Sequence, residues 1–466
     1  MYNIAKPHPF DEKPSINAPE ILGFSTGKPV LYRIPVTGER PIRISCINLP
    51  STLALDGQII KGTINVHCET DITIEAENTK GKDIKTIKLI IDDDTILLTP
   101  LLGFTTWNAF GNRVTQKNVE QTGELLIKTG LADYGYSYVN LDSGWQRSPL
   151  SENGTILPND KFPSLESMTS KLHSLGLKAG IYSTPMLNAW GCPEEYDSVP
   201  GCTSGERDIR FARTNGGIGL VHNEQVNVRA WSEWGFDYLK YDWTPTDSVN
   251  ADLMKKELLK SDRCFGYCVS VAAVPQYMDY WMANVNSYRC NSDSKDEWGN
   301  VKRLFDSANG WEKAVKRGHF FDLDMLELGY MGLFGRYCTL SEEEQIFAYT
   351  MRVIYSSPIQ ISCDLSQMTD FEFSVYANEE VLRVNQDPLT LPCEKVMQGN
   401  CAVISKELVD GKALAVFNPT ENEETVCCTL EKEMTVRDIW AKEDLENTGE
   451  IHLKLKPHEA RLFRLY

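Results

Sequence analysis

LLGFTTW at 101–107 and YSYVNLD at 136–142, with the segment between them, decide the fold. Both runs are apolar almost throughout, and the stretch separating them sets Val119, Leu125 and Leu126 at helical spacing. A strand, a helix and a second strand buried on both faces imply parallel pairing. The same alternation recurs in KAGIYSTP (178–185), YLKYDW (238–243), CFGYCVSV (264–271), SYRCNSD (287–293), HFFDLDML (319–326) and PIQISCDL (358–365). Between these runs lie amphipathic segments such as Leu165, Met168, Leu172 and Leu175. A capping box at Ser341 and Glu344 leads into Ile346, Phe347, Met351 and Ile354. Eight such units over about 270 residues predict an α/β protein built on a closed (β/α)8 barrel.

Outward from the barrel the pattern changes on both sides. Upstream, ITIEAEN and IKTIKLII alternate with period two and Gly, Asp and Asn separate the runs, which predicts a small β-sandwich. Downstream, CAVISKEL, KALAVFNP, ETVCCTLEK, TVRDIWA, EIHLKLKP and ARLFRLY predict an antiparallel β-sandwich. The expected domains are 1–98, 99–387 and 388–466.

Charge and composition narrow the function. The 466 residues carry 47 Lys+Arg against 65 Asp+Glu, a net charge of −18, with 42% hydrophobic and 10% aromatic residues, as a packed globular protein requires. An acidic surface repels nucleic acid and anionic lipid, so neither is expected as a partner. No apolar run is long enough to span a membrane, and MYNIAKPHPFDEKPSIN has neither a basic nor an apolar leader segment, so export is not expected. The thirteen cysteines, scattered from Cys46 to Cys428 with Cys427 and Cys428 adjacent, read as reduced thiols of a cytoplasmic protein. Cys264 and Cys268 have no accompanying His cluster, which argues against zinc there.

Barrel enzymes place their chemistry at the C-terminal strand ends. Here those ends are acidic: Asp142, Asp242, Asp293, and Asp322 with Asp324. Carboxylates from different strands around one mouth suit glycoside hydrolysis, which needs one group as nucleophile or base and another as acid. Trp107, Trp145, Tyr182 and Trp243 stand beside them as possible stacking surfaces for a sugar. The competing readings are helix N-caps for single aspartates and a Mg²⁺ or Mn²⁺ site for the cluster. With seven His, and only His319 at a strand, where it opens strand seven, no metal and no cofactor are expected. Neither a GxSxG elbow nor a His beside Cys268 or Cys290 supports a Ser or Cys nucleophile. Gly216, Gly217 and Gly219 lack the context of a phosphate loop. The long third connection, from Asn188 to about Val228, is expected to lie over the mouth.

In order, LGFTTWNAFG, LADYGYSYVNLDSGWQ, LKAGIYS, WGFDYLKYDW, NSYRCNSDSKDEW, DLDML, SSPIQISCDL and VNQDPL resemble the landmarks of glycoside hydrolase family 27, the clan-D α-galactosidase and α-N-acetylgalactosaminidase family. The resemblance runs from about Leu101 to the chain end, and an immunoglobulin-like domain ahead of such a barrel looks like bacterial members. It implies a retaining exo-glycosidase that releases terminal α-galactosyl units from an oligosaccharide or glycoside. Asp242 matches the nucleophile and Asp293 the acid/base, while Trp107, Asp142, Ser143, Tyr182, Lys240, Ser270, Arg289 and Asp324 match substrate contacts. Lys240 and Arg289 are expected to keep Asp242 ionised, and burial or an approaching carboxylate to keep a proton on Asp293. Retention requires the two carboxyl groups about 5 to 5.5 Å apart.

Three departures bear on the sugar. Ser143 stands where the family usually has a second Asp, and Gly144 replaces the usual Cys. Ser270 with Ala273 is similar to the N-acetylgalactosaminidase version of the strand-five loop. Trp243 interrupts the family's Gly-Cys, so no disulfide is expected beside the nucleophile. These leave α-N-acetylgalactosamine, β-L-arabinopyranose and α-glucosyl units open as glycones, and a non-catalytic carbohydrate-binding relative as the reading from another class. In the upstream sandwich only Phe24 and Tyr32 suggest carbohydrate contact, so packing against the barrel is its expected role.

Overall fold

The computed structural model describes residues 12–190, 199–210, 217–271, 273 and 275–466. Eight parallel strands form the central sheet: β1 (Leu102–Thr105), β2 (Tyr138–Leu141), β3 (Lys178–Ser183), β4 (Tyr238–Asp242), β5 (Gly266–Ser270), β6 (Ser287–Arg289), β7 (His319–Asp322) and β8 (Ile359–Ile361). They pair in chain order, and β8 returns to β1. Closure between β7 and β8 runs through Leu326 and Ile361. Each strand lies inside a run marked out by the sequence.

Alternation along β4 explains the barrel's interior. Leu239 and Tyr241 point into the apolar layer under the helices, whereas Tyr238 packs with Leu101, Tyr138 and Cys268 at the lower end of the barrel. Above Tyr238 the inward positions turn polar, with Lys240 and then Asp242 reaching a cavity. A middle layer is made by Asn140, whose amide donates to Gln360 at 2.8 Å. Gly180 makes room for it, because a Cβ there would fall 2.0 Å from Asn140 Oδ1.

Helices begin where local hydrogen bonding favours them. The helix α1 (Gln116–Lys128) starts at a capping box of Thr115 and Asn118. The helix α2 (Glu342–Ile354) starts at the Ser341 and Glu344 box and buries Ile346, Phe347, Met351 and Ile354.

Upstream, a four-stranded sheet (Ile21–Ser25, Gly81–Asp92, Cys68–Asn78, Arg43–Ile47) faces a three-stranded one (Pro29–Arg33, Ile59–Thr63, Leu53–Asp56) over a core that includes Phe24, Val30, Ile60, Ile74 and Leu89. Asp133 of the barrel fastens this unit, accepting from Arg33, from Arg40 at 2.6 Å and from Gln58 at 2.9 Å. Phe24 is buried with the Lys178 ammonium 5.3 Å from its ring, and the Tyr32 hydroxyl is buried as well. Phe24 belongs to the core of this unit and Tyr32 packs against it, so both rings serve packing.

Downstream, six antiparallel strands make one hydrogen-bonded sheet. Its longest strand, Glu424–Asp438, pairs along both halves with Glu443–Leu455 across a register shift between Thr429 and Met434, and its second half also pairs with Ala460–Leu465, so the sheet folds over its own core of Val416, Val426, Ile451 and Phe463. The opposite face, with Ile404, Ala415, Phe417 and Leu462, joins the barrel's hydrophobic layer. The twelve described cysteines are free thiols. Among the described residues no helix is long and apolar enough to cross a membrane. The amino-terminal residues 1–11, part of the segment from which no export is expected, and residues 191–198 and 211–216 of the third connection, Gly216 included, lie outside the described residues.

At the junction of barrel and downstream sheet, Lys406 is buried and donates to Ser356 Oγ at 2.7 Å and to the Val353 carbonyl at 3.3 Å. Burial lowers its ammonium from 10.5 to about 8, against the pull of Cys393 and Asp387. Because the folded value lies below the unfolded one, the cost is full below pH 8 and is relieved as pH rises toward 10.5. Wild type is therefore expected to gain about 2 to 3 kcal/mol of stability relative to Lys406→Met between pH 7 and 10, read from urea midpoints. Parallel pH curves for the two proteins would refute this.

Candidate active site

The C-terminal strand ends surround a cavity of about 350 Å³ lined by Trp107, Asp142, Ser143, Tyr182, Lys240, Asp242, Asp293 and Asp324, together with Asn108, Trp190, Thr244, Val271, Ser292, Ser294, Met325 and Glu327. That size admits a monosaccharide unit. Eight of the ten residues named from sequence meet here. Arg289 and Ser270 stand behind the lining: Arg289 is 3% exposed and Ser270 fully buried.

Two cations organise the acids. Lys240 Nζ donates to Asp142 Oδ2 at 2.8 Å and lies 5.6 Å from the centre of the Tyr182 ring. Arg289 donates through Nη2 to Asp293 Oδ1 at 3.0 Å and to the Asn291 carbonyl at 3.2 Å, and through Nη1 to Ser270 Oγ at 3.0 Å, and its Nη2 forms an ion pair with Asp324 Oδ2 at 3.0 Å. Asp324 Oδ2 also accepts the Ser294 N–H at 2.8 Å. The Tyr182 hydroxyl donates to Asp242 Oδ2 at 3.1 Å. Ser143 spends its hydroxyl on the Trp190 carbonyl.

These surroundings separate the carboxyl groups. Burial raises Asp324, but Arg289, Lys240 and the N–H groups of Ser294 and Met325 overcome it and hold the group below the usual range. Burial lowers Lys240, yet Asp142, Asp242 and Asp324 together leave it raised. For Asp242 burial is the larger effect. Lys240 and Arg289 pull its carboxyl down, as expected from sequence, but burial, reinforced by Asp142 and Asp293, leaves it raised.

Several expectations need correcting. Asp293 is open to solvent, with 81% of its side chain exposed, and is ion-paired to Arg289, so the burial meant to keep its proton is not there. Ser270 touches Arg289 rather than the cavity and is fully buried, although it pairs in register with Asp242. Asp322 is 2% exposed and accepts the Asp324 N–H at 2.8 Å; it supports the rim from beneath, and burial, then Asp324, raises it to about 6. Trp145 and Trp243 are fully buried, their indoles donating to the Tyr182 carbonyl and to Asp247, so neither can stack on a sugar. Trp107 remains, joined by Trp190 from the described start of the long third connection, whereas Tyr182 lines the cavity but is 1% exposed, with Lys240 against its ring and its hydroxyl on Asp242.

Asn108 and Glu327 were missed by sequence. Asp324 adopts a left-handed backbone, φ +68°, which breaks the two-residue alternation after β7 and brings Glu327 to the cavity three positions later. Its place one residue beyond the HFFDLDML run was the available signal. The His/Cys/Asp/Glu groups with metal-ligand spacing among the described residues, Cys427/Glu450/His452 and His67/Asp92/Asp93, are exposed on the flanking domains.

The family model for α-galactosidase A matches residues 104–200 and 207–387, and the model for the α-galactosidase C-terminal β-sandwich domain matches 398–465. The α-galactosidase of Cyamopsis tetragonoloba is 30% identical over 386 residues, covering 79% of this chain and 86% of that protein. That of Oryza sativa is 28% identical over 387 residues, covering 79% and 84%. A solved Bacteroides fragilis structure of the α-galactosidase/melibiase type superposes with a TM-score of 0.89 at 26% identity over 100% of both chains. A GH27 β-L-arabinopyranosidase from Geobacillus stearothermophilus shares the fold, with a TM-score of 0.71 at 22% identity over 79% of this chain and 97% of its own.

Arg289 and Asp324 are both buried, with side chains 4% and 5% exposed. Removing Asp324 leaves the buried Arg289 charge with only the exposed Asp293 as counter-charge, so Asp324→Leu is expected to cost about 3 kcal/mol in denaturant unfolding. An unchanged midpoint would mean that the pair does not hold the floor of the cavity.

Proposed function

The chain belongs to the α-galactosidase family, glycoside hydrolase family 27, and from that premise we propose how this α-galactosidase works: Asp242 is its nucleophile and Asp293 its acid/base in a retaining double displacement. The observation that carries the assignment is two carboxyl groups in opposite surroundings at one cavity, Asp242 half-buried under the Tyr182 hydroxyl and Asp293 open beside Arg289. In the first step Asp242 attacks the anomeric carbon, the glycosidic bond breaks, and the leaving oxygen takes a proton from Asp293. In the second, Asp293 withdraws a proton from water, which attacks the glycosyl-enzyme and frees Asp242. Lys240, Arg289, Asp142 and Asp324 form a charge-balanced frame that keeps both acids in place as charge moves between them. The sugar itself supplies the desolvation that Asp293 lacks, by covering it on binding. Trp107 gives the glycone an apolar face.

Residues 1–98 read as an immunoglobulin-like domain, as in bacterial members, with 99–387 the catalytic barrel and 388–466 its buttress; the seven-stranded packing and the contacts around Asp133 support this. The free thiols favour a reducing, cytoplasmic setting.

The test is hydrolysis of nitrophenyl α-galactoside, α-N-acetylgalactosaminide, β-L-arabinopyranoside and α-glucoside. The α-galactoside is expected to turn over fastest, and Asp242→Asn to lose at least about 10³-fold in kcat. Because Asp242 is raised and must be ionised to attack, the acid limb of kcat/KM is expected above the ordinary aspartate value of about 3.9. A fluorinated galactoside that turns over slowly should add one sugar to the peptide containing Asp242; a label elsewhere, or an active Asp242→Asn, rules the assignment out.

A further inference from the structure

Glu327 is a carboxyl group at the cavity for which the double displacement has no use. It is 9% exposed, lines the cavity, and accepts from the Asn108 amide at 2.9 Å. The charged groups that face it are Asp324, on its own segment, and Arg352, from α2. Arg352 is committed elsewhere, donating to the carbonyls of Leu323, Asp324, Met325 and Ala348. The Ser294 hydroxyl, from the residue after Asp293, is the remaining polar neighbour. No salt bridge to Glu327 occurs among the described residues. The other acids of the cavity are engaged: Asp142 by Lys240, Asp293 and Asp324 by Arg289, Asp242 by Tyr182. Ser143 has turned its hydroxyl to Trp190.

We propose that Glu327 is a specificity-determining residue that donates a hydrogen bond to a hydroxyl of the bound glycone. The inference rests on the cavity being the galactosyl site. Asn108 occupies one carboxyl oxygen as a donor, so a proton on the group is available to an acceptor in the cavity. Burial, then Asp324, raises Glu327 to about 8, against the weaker pull of Arg352, Asn108 and Ser294, so the group carries that proton at neutral pH. Above that pH the group is a carboxylate beside the Asp324 charge and can no longer donate, so the donated hydrogen bond is lost.

The experiment compares pH profiles of kcat/KM on nitrophenyl α-galactoside for wild type, Glu327→Gln and Glu327→Leu, with thermal midpoints beside them. Wild type is expected to decline as pH rises through about 8. Glu327→Gln keeps a donor that does not titrate, and should retain most of the activity while losing that decline. Glu327→Leu should lose about 10- to 100-fold near pH 7, the equivalent of one hydrogen bond to a buried hydroxyl. Singly deoxygenated galactosides then name the hydroxyl, because the one lacking it will not distinguish wild type from Glu327→Leu. An unchanged alkaline decline in Glu327→Gln, or wild-type activity in Glu327→Leu, overturns the proposal while the galactosyl reading stands. An inactive wild type, or an active Asp242→Asn, removes the premise and the proposal together.

Discussion

A guanidinium buried at the top of a barrel needs counter-charge and acceptors, and Arg289 finds them for its two terminal nitrogens by drawing strand ends together. From β6 it reaches Ser270 at the end of β5, Asp293 in the loop that follows β6, and Asp324 beyond β7. An unpaired charge at that depth would cost several kcal/mol, so the fold is stable only with these ends in register. The shape of the cavity floor follows from satisfying one side chain, and the acids are placed as a consequence.

The same pairing sets the chemistry apart from the scaffold. Where a cation and backbone N–H groups converge, as at Asp324, the carboxyl is held ionised and acts as a fixed counter-charge. Where burial prevails, as at Asp242, Asp322 and Glu327, protons are bound more tightly. Glycoside cleavage needs acids that differ in proton affinity within one small volume, and this barrel produces the difference by depth and by which groups the two cations reach. Arg352 adds rigidity from behind, holding three successive carbonyls around the left-handed turn at Asp324 and so fixing the path along which Met325 and Glu327 reach the cavity.

The flanking domains meet the barrel away from this rim. The upstream sheets are tied to Asp133, between α1 and β2, and cover Lys178 at the start of β3. The downstream sheet leans on α2, where Trp440 donates to Thr350 at 2.9 Å. Both therefore bear on the barrel's stability rather than on its mouth.

Sequence alone determined the barrel, since eight apolar runs alternating with helical periodicities have one economical way to bury both faces of a parallel sheet. It also determined most of the rim, because strand-end positions project upward whatever the packing: Asp142, Tyr182, Lys240, Asp242, Asp293 and Asp324 were legible as such. What it left open depends on depth and on backbone direction, which no local pattern records. Trp145 and Trp243 look like Trp107 in the sequence, and only their burial under the rim separates them. Ser270 and Asp322 alternate correctly, yet each is buried against a neighbour, the Arg289 guanidinium or the Asp324 N–H, instead of opening to the cavity. Glu327 was hidden because the alternation fails at Asp324, whose positive φ is held by contacts from a distant helix. Tertiary structure decided these because burial and proton affinity are properties of a site assembled from seven strands, not of any one of them.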